Sequence, residues 1–162
     1  MAEAKTEIIP YFSYPGLKVF KTSINLPILL KTHREKCLDA VRDVICDYYI
    51  VTTKQFHSIH RDTPIPLCKQ LFCYICKKKL FPSVSSTALG KYIREANNVR
   101  GKYDHTTVLH GIKLIEDFLN NGEVEHETYD ELMYKITLKL NDVWQSYQSA
   151  GNCKVARILL VK

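Results

Sequence analysis

Read for apolar spacing, the chain divides into stretches with a three- or four-residue period, separated by polar and proline-containing breaks. That is the pattern of helices packed on a shared core. The clearest stripe is Val108, Ile112, Ile115 and Leu119, in a helix entered at Asp104 and ended by Asn120-Asn121-Gly122. Leu38, Val41, Ile45 and Tyr48 predict an earlier helix running to about Tyr49, with Thr32 to Glu35 fitting a capping box at its start. Leu71, Phe72, Ile75 and Cys76 mark another behind Pro66, with Lys69, Lys77 and Lys78 facing solvent and Pro82 closing it. Ala88, Leu89, Tyr92, Ile93 and Ala96 form a shorter stripe capped by Ser85 or Ser86. A last helix, opened by a Thr128/Glu131 capping box, carries Leu132, Ile136, Leu140, Val143 and Tyr147 to about Ser149.

The ends read differently. Pro10, Pro15, Gly16 and Pro27 interrupt β-branched and aromatic runs such as Ile24 to Leu30, which predicts an extended arm with short strands over residues 1–31. Thr52 to His57 reads as a short helical turn, and Val155 to Val161 as β-prone. The expected fold class is mainly α: a helix-turn-helix bundle with an extended N-terminal arm and short β segments at the termini.

Chemistry concentrates at one helix start. In Asp104-His105-Thr106-Thr107-Val108-Leu109-His110, Asp104 is the N-cap candidate and His105, Thr106 and Thr107 fill the first turn. Side chains there project past the helix end, beside backbone N–H groups without partners. Histidine and threonine at such a tip suit hydrogen bonds and methyl contacts to base edges in a major groove. Charge supports this location, since residues 54–103 carry ten Lys/Arg against two Asp/Glu, whereas residues 104–150 carry three against nine. The basic block therefore precedes the polar tip, where a phosphate-binding surface is needed.

The same seven residues resemble the signature of the C-terminal DNA-binding domain of the DnaA replication initiators, and the resemblance extends from about Val44 to Phe118. It implies a helix-turn-helix in which His105, Thr106 and Thr107 reach base edges and Asp104 caps the helix or accepts from a cytosine amino group. By the same resemblance Lys69-Gln70 corresponds to a phosphate-holding basic-Gln pair. Arg61, reached by ungapped counting, corresponds to an arginine that enters the minor groove. Lys77 and His110 are expected to face phosphates. The turn between Gly90 and Asp104 is about seven residues longer than the family's, which places Arg94, Arg100 and Lys102 in an extended connection as further phosphate candidates.

Other classes find less support. Six cysteines in largely apolar-periodic segments read as reduced, buried thiols, and Cys73-Tyr-Ile-Cys76 lacks the second pair that a structural zinc site requires. No nucleophile-base set is readable, and Gly16 to Thr22 lacks the second glycine of a nucleotide-binding loop, so ATP-driven chemistry is not expected. No catalytic, cofactor or metal residue is assigned. The expectation is a non-enzymatic, cytoplasmic, sequence-specific binder of double-stranded DNA that regulates or assists replication or a mobile element. The competing reading is a protein-interaction module on the same scaffold, with self-association or a protein partner on the C-terminal helix. The chain divides into an arm or short strands (1–31), a DnaA-like helix-turn-helix domain (32–122) and an amphipathic helix with a β-prone tail (123–162).

Overall fold

A computed structural model describes residues 7–12, 20–95 and 103–150. The chain opens with an antiparallel hairpin of β1 (Glu7–Phe12) and β2 (Phe20–Ile24), in register from Glu7 opposite Ile24 to Ile9 opposite Thr22, with an irregularity between Ile9 and Phe12. Among the described residues, seven helices follow. They are α1 (Leu26–Thr32), α2 (Arg34–Tyr49), α3 (Thr53–Phe56), α4 (Ile65–Tyr74), α5 (Ser86–Glu95), α6 (His105–Asn121) and α7 (His126–Ser149). The fold is mainly α, as the apolar period predicts. The β-prone segment after Gly151 lies outside the described residues.

Three local expectations are corrected. The run Ile24 to Leu30 is not extended, because α1 begins at Leu26. Asn25 caps it by accepting from the Ile28 N–H at 3.1 Å, and Pro27 stands near the helix start, where a missing N–H costs nothing. Leu26 and Leu29, three apart, then turn into the core. Thr32 does not cap α2. Its hydroxyl donates back to the Ile28 carbonyl at 2.9 Å, drawn to the last turn of α1. Thr128 lies inside α7, which starts two residues earlier, and its hydroxyl accepts from Tyr48 at 3.3 Å. The cause is the preceding turn. Gly122, in the left-handed region at φ 75°, lets Glu123 donate to the Phe118 carbonyl at 2.9 Å and turns Val124 into the core, so the chain is ready to coil again at once.

Apolar stripes fall inward where the spacing places them. Leu38, Val41 and Ile45 of α2, Leu71 and Phe72 of α4, Val108, Ile112, Ile115 and Leu119 of α6, and Leu132, Ile136 and Leu140 of α7 join one hydrophobic cluster. α6 lies against α4 and α5, α2 bridges α4 and α7, and the hairpin rests on α7. The stripe of α7, including Trp144 and Tyr147, is thereby covered within the chain. α4 continues into a π-helical turn over Ile75–Leu80, closed by Phe81 N–H donating to the Cys76 carbonyl at 2.7 Å. Among the described residues, no helix is long and apolar enough to cross a membrane.

Two tight contacts hold the α5–α6 region. A Cβ on Gly90 would overlap the Tyr103 carbonyl oxygen, so only glycine lets the residue before the α6 cap lie against α5. Behind α5, the buried His57 ring donates from Nδ1 to the Ile93 carbonyl at 2.8 Å, and its Nε2 accepts from Arg42 at 3.2 Å. This tautomer, assigned from the bonding, uses both nitrogens of a neutral imidazole; a second ring proton would point at the Arg42 N–H. Arg42 is held in turn by Asp39 at 3.2 Å and Asp43 at 2.9 Å.

Gly90→Ala is expected to destabilise the chain by about 1–3 kcal/mol despite alanine's better helix propensity, because the new methyl meets backbone. Chemical denaturation of the two proteins measures it, and equal midpoints would contradict the packing. Burial lowers the His57 pKa below 6.5. A depressed histidine stabilises the fold fully above its unfolded value and loses that contribution as pH falls through the folded value. Thermal stability should therefore fall as pH drops below about 6.5. His57→Gln should flatten that part of the profile, and an unaltered profile would reject the assignment.

Candidate nucleic-acid interface

The first turn of α6 is built as its composition suggests. Asp104 Oδ1 accepts from the Thr107 N–H at 3.0 Å and the Thr107 hydroxyl at 3.1 Å. These bonds hold the Asp104 carboxyl below the usual carboxylate range. His105, Thr106 and Thr107 stand exposed, as does His110 one turn on, while Val108 behind them is fully buried. The helix is anchored by its rear and presents its front.

Tyr103 decides where that tip stands. Its carbonyl lies against Gly90 of α5. Its hydroxyl faces the Cys73 thiol of α4, which is buried in the core, and burial beside that thiol raises the Tyr103 pKa. α4 and α6 approach closely one turn further along, where a Cβ on Gly111 would come within 3.1 Å of the Gln70 side chain. Gln70 is thus brought against α6, and it lines the same depression as Thr107.

Next to the tip lies an open groove of about 460 Å³. Its lining includes Arg61, Lys69, Gln70, Arg94, Tyr103, Thr107, His110 and Gly111, and among the described residues no carboxylate lines it. Arg61, exposed on the loop between α3 and α4, and Thr107 on α6 are 46 positions apart in the chain yet share this groove. Two cationic groups and the polar α6 tip facing one carboxylate-free depression favour an anionic ligand.

The basic residues do not all behave as expected. Lys69 does not face solvent: it is 7% exposed, its ammonium donates to the Ser58 carbonyl, and burial lowers its pKa. Lys77 folds back onto the turn after the π-helical segment, donating to the carbonyls of Pro82 at 3.0 Å and Val84 at 2.9 Å, and it does not line the groove. Lys78 pairs with Glu116 at 3.8 Å. For Lys69 and Lys77 a carbonyl supplied by the fold has taken the cation that spacing alone pointed outward, whereas Lys78 stays exposed as expected. Arg94 belongs to the last turn of α5 rather than to the connection, and so reaches the groove. Arg100 and Lys102 lie outside the described residues.

Spacing did not reveal His57, Ile59 and His60, which also border the groove. They sit on an irregular loop that carries no periodic signal. Leu109 had one: it falls off the buried stripe of α6 and is 51% exposed beside the tip. The cysteines of the described residues are free and buried, as expected, and burial raises Cys68 and Cys73 to about 12. Among the described residues no cluster of three or more potential metal ligands occurs.

No family model matches the chain, and no solved structure matches it. Similarity is found to the chromosomal replication initiator protein DnaA of Lachnoclostridium phytofermentans, 30% identical over 99 residues, which cover 61% of this chain and 20% of that protein. The DnaA of Jannaschia sp. is 27% identical over 92 residues, covering 57% of this chain and 18% of that protein. The chain thus spans about one-fifth of the length of these relatives. The match falls on the DNA-binding part of DnaA and not on its ATPase region. The chain therefore contains a region similar to the C-terminal domain of the DnaA initiators.

Proposed function

We propose that the chain binds double-stranded DNA sequence-specifically, with the first turn of α6 in the major groove and Arg61 in the adjacent minor groove. The observation that carries this reading is the exposed His105-Thr106-Thr107 turn, whose Thr107 shares with Arg61 a groove that no carboxylate of the described residues lines. A helix tip fits a major groove about 12 Å wide, and an arginine on a loop suits the strongly negative potential of a narrow A·T-rich minor groove. His105, Thr106 and Thr107 then read bases. The Asp104 bond to the Thr107 hydroxyl orients that oxygen and turns the threonine methyl toward thymine contacts. Gln70, Arg94 and His110 supply phosphate contacts, joined by Arg100 and Lys102 of the connection; such contacts position the duplex without reading its sequence. Leu109 adds an apolar edge.

The protein acts without ATP hydrolysis, as a regulator or accessory factor. Replication is the first process to test because the relatives are replication initiators; a mobile element is the second.

Selection of bound duplexes from a random pool should enrich a short motif flanked by A·T pairs. On the enriched duplex, His105→Ala and Thr107→Ala should each cost about 1–3 kcal/mol and relax preference at one position. Arg61→Ala should lower affinity and reduce the slope of log K against log salt by about 0.9. Absence of any enriched motif, or equal losses on enriched and random duplexes for the α6 variants, would contradict base reading and favour a protein partner instead.

A further inference from the structure

Among the described residues, Lys69 is the one cation on the groove whose charge faces inward. Its Nζ donates to the Ser58 carbonyl and lies 5.6 Å from the centre of the Tyr103 ring. That residue is itself held by its backbone against Gly90, with its hydroxyl facing the buried Cys73 thiol. One side chain thus joins the loop before α4, α4 itself and the residue preceding the α6 cap. An ammonium withdrawn from water persists only where acceptors and a ring face replace its hydration, and here those partners are the loop carbonyl and Tyr103. Arg61 stands three residues beyond Ser58, so the carbonyl that Lys69 holds governs where the guanidinium can reach.

We propose that Lys69 is a positioning residue and not a phosphate ligand: its ammonium pins the Ser58–Arg61 loop to the base of α6 and sets the spacing between Arg61 and Thr107. This deepens the duplex reading and rests on it. The two roles differ in salt dependence. A phosphate contact contributes about 0.9 to the slope of log K against log salt, whereas an internal pin contributes nothing.

The test uses the full chain carrying Lys69→Met, which keeps the stem and removes the ammonium. Affinity for the enriched duplex should fall roughly tenfold, the loss expected for one charge-assisted hydrogen bond, with the salt slope unchanged. Without DNA, amide hydrogen exchange over residues 58–62 should quicken in Lys69→Met and stay unchanged in Arg61→Ala. A salt slope reduced by about 0.9, with equal losses on enriched and random duplexes, would overturn the proposal. So would unaltered exchange in the loop. Should Lys69→Met fail to fold, the ammonium resonance of Lys69 in the natural chain decides: a pin leaves it in place when duplex is added, and a phosphate ligand moves it. If Thr107→Ala and Arg61→Ala bind enriched and random duplexes as the natural chain does, the duplex reading fails, while the exchange experiment still reports on the pin.

Discussion

The docking of Tyr103 is the contact on which the rest of the site depends. A tyrosine just outside a helix cap is usually free to swing, yet here its backbone is pressed against Gly90 and its ring packs on the core with its hydroxyl facing the Cys73 thiol. Those two attachments join α5, α4 and the start of α6. They determine where Asp104 closes the helix, and hence where His105, Thr106 and Thr107 emerge. The connection from Glu95 to Asp104 is longer than a tight turn, so local geometry alone does not bring the two helices into place. The Tyr103 contacts supply that constraint from the far end, at a cost in side-chain freedom that burial of the ring offsets.

Charge is sorted by the same packing. The basic block before α6 reads as uniform in sequence, but the fold divides it into inward and outward cations. Lys69 is drawn to Ser58, and Lys77 to the carbonyls after the π-helical turn. Arg61 and Arg94 stay on the groove. Long lysine stems bury readily along apolar surface, and an orphan carbonyl at the end of a turn is a ready acceptor. Among the described residues no buried side-chain polar atom is left without a partner. The internal cations and His57 therefore serve as struts behind a surface whose remaining charge faces out.

Legibility followed the range of the forces involved. The stripes of α2, α4, α6 and α7 were readable because helical period is a near-neighbour property, and the Asp104 cap because its partner is three residues away. α1 escaped because Pro27 and β-branched residues resemble an extended run until Asn25 is seen to cap it. The expected capping boxes at Thr32 and Thr128 dissolved once neighbouring elements offered those hydroxyls other partners.

By itself, the sequence determined that the chain is mainly helical, which residues face the core, and that a polar, capped tip opens α6. Each of these depends on contacts within about one helical turn. Only the tertiary structure decided that Arg61 and Thr107 meet at one groove, that Arg94 joins them, and that Lys69 does not point outward with them. The physical reason is that these outcomes rest on the close approach at Gly90, the anchoring of Tyr103 and competition among distant carbonyls for the same cations. No periodicity encodes such long-range contacts.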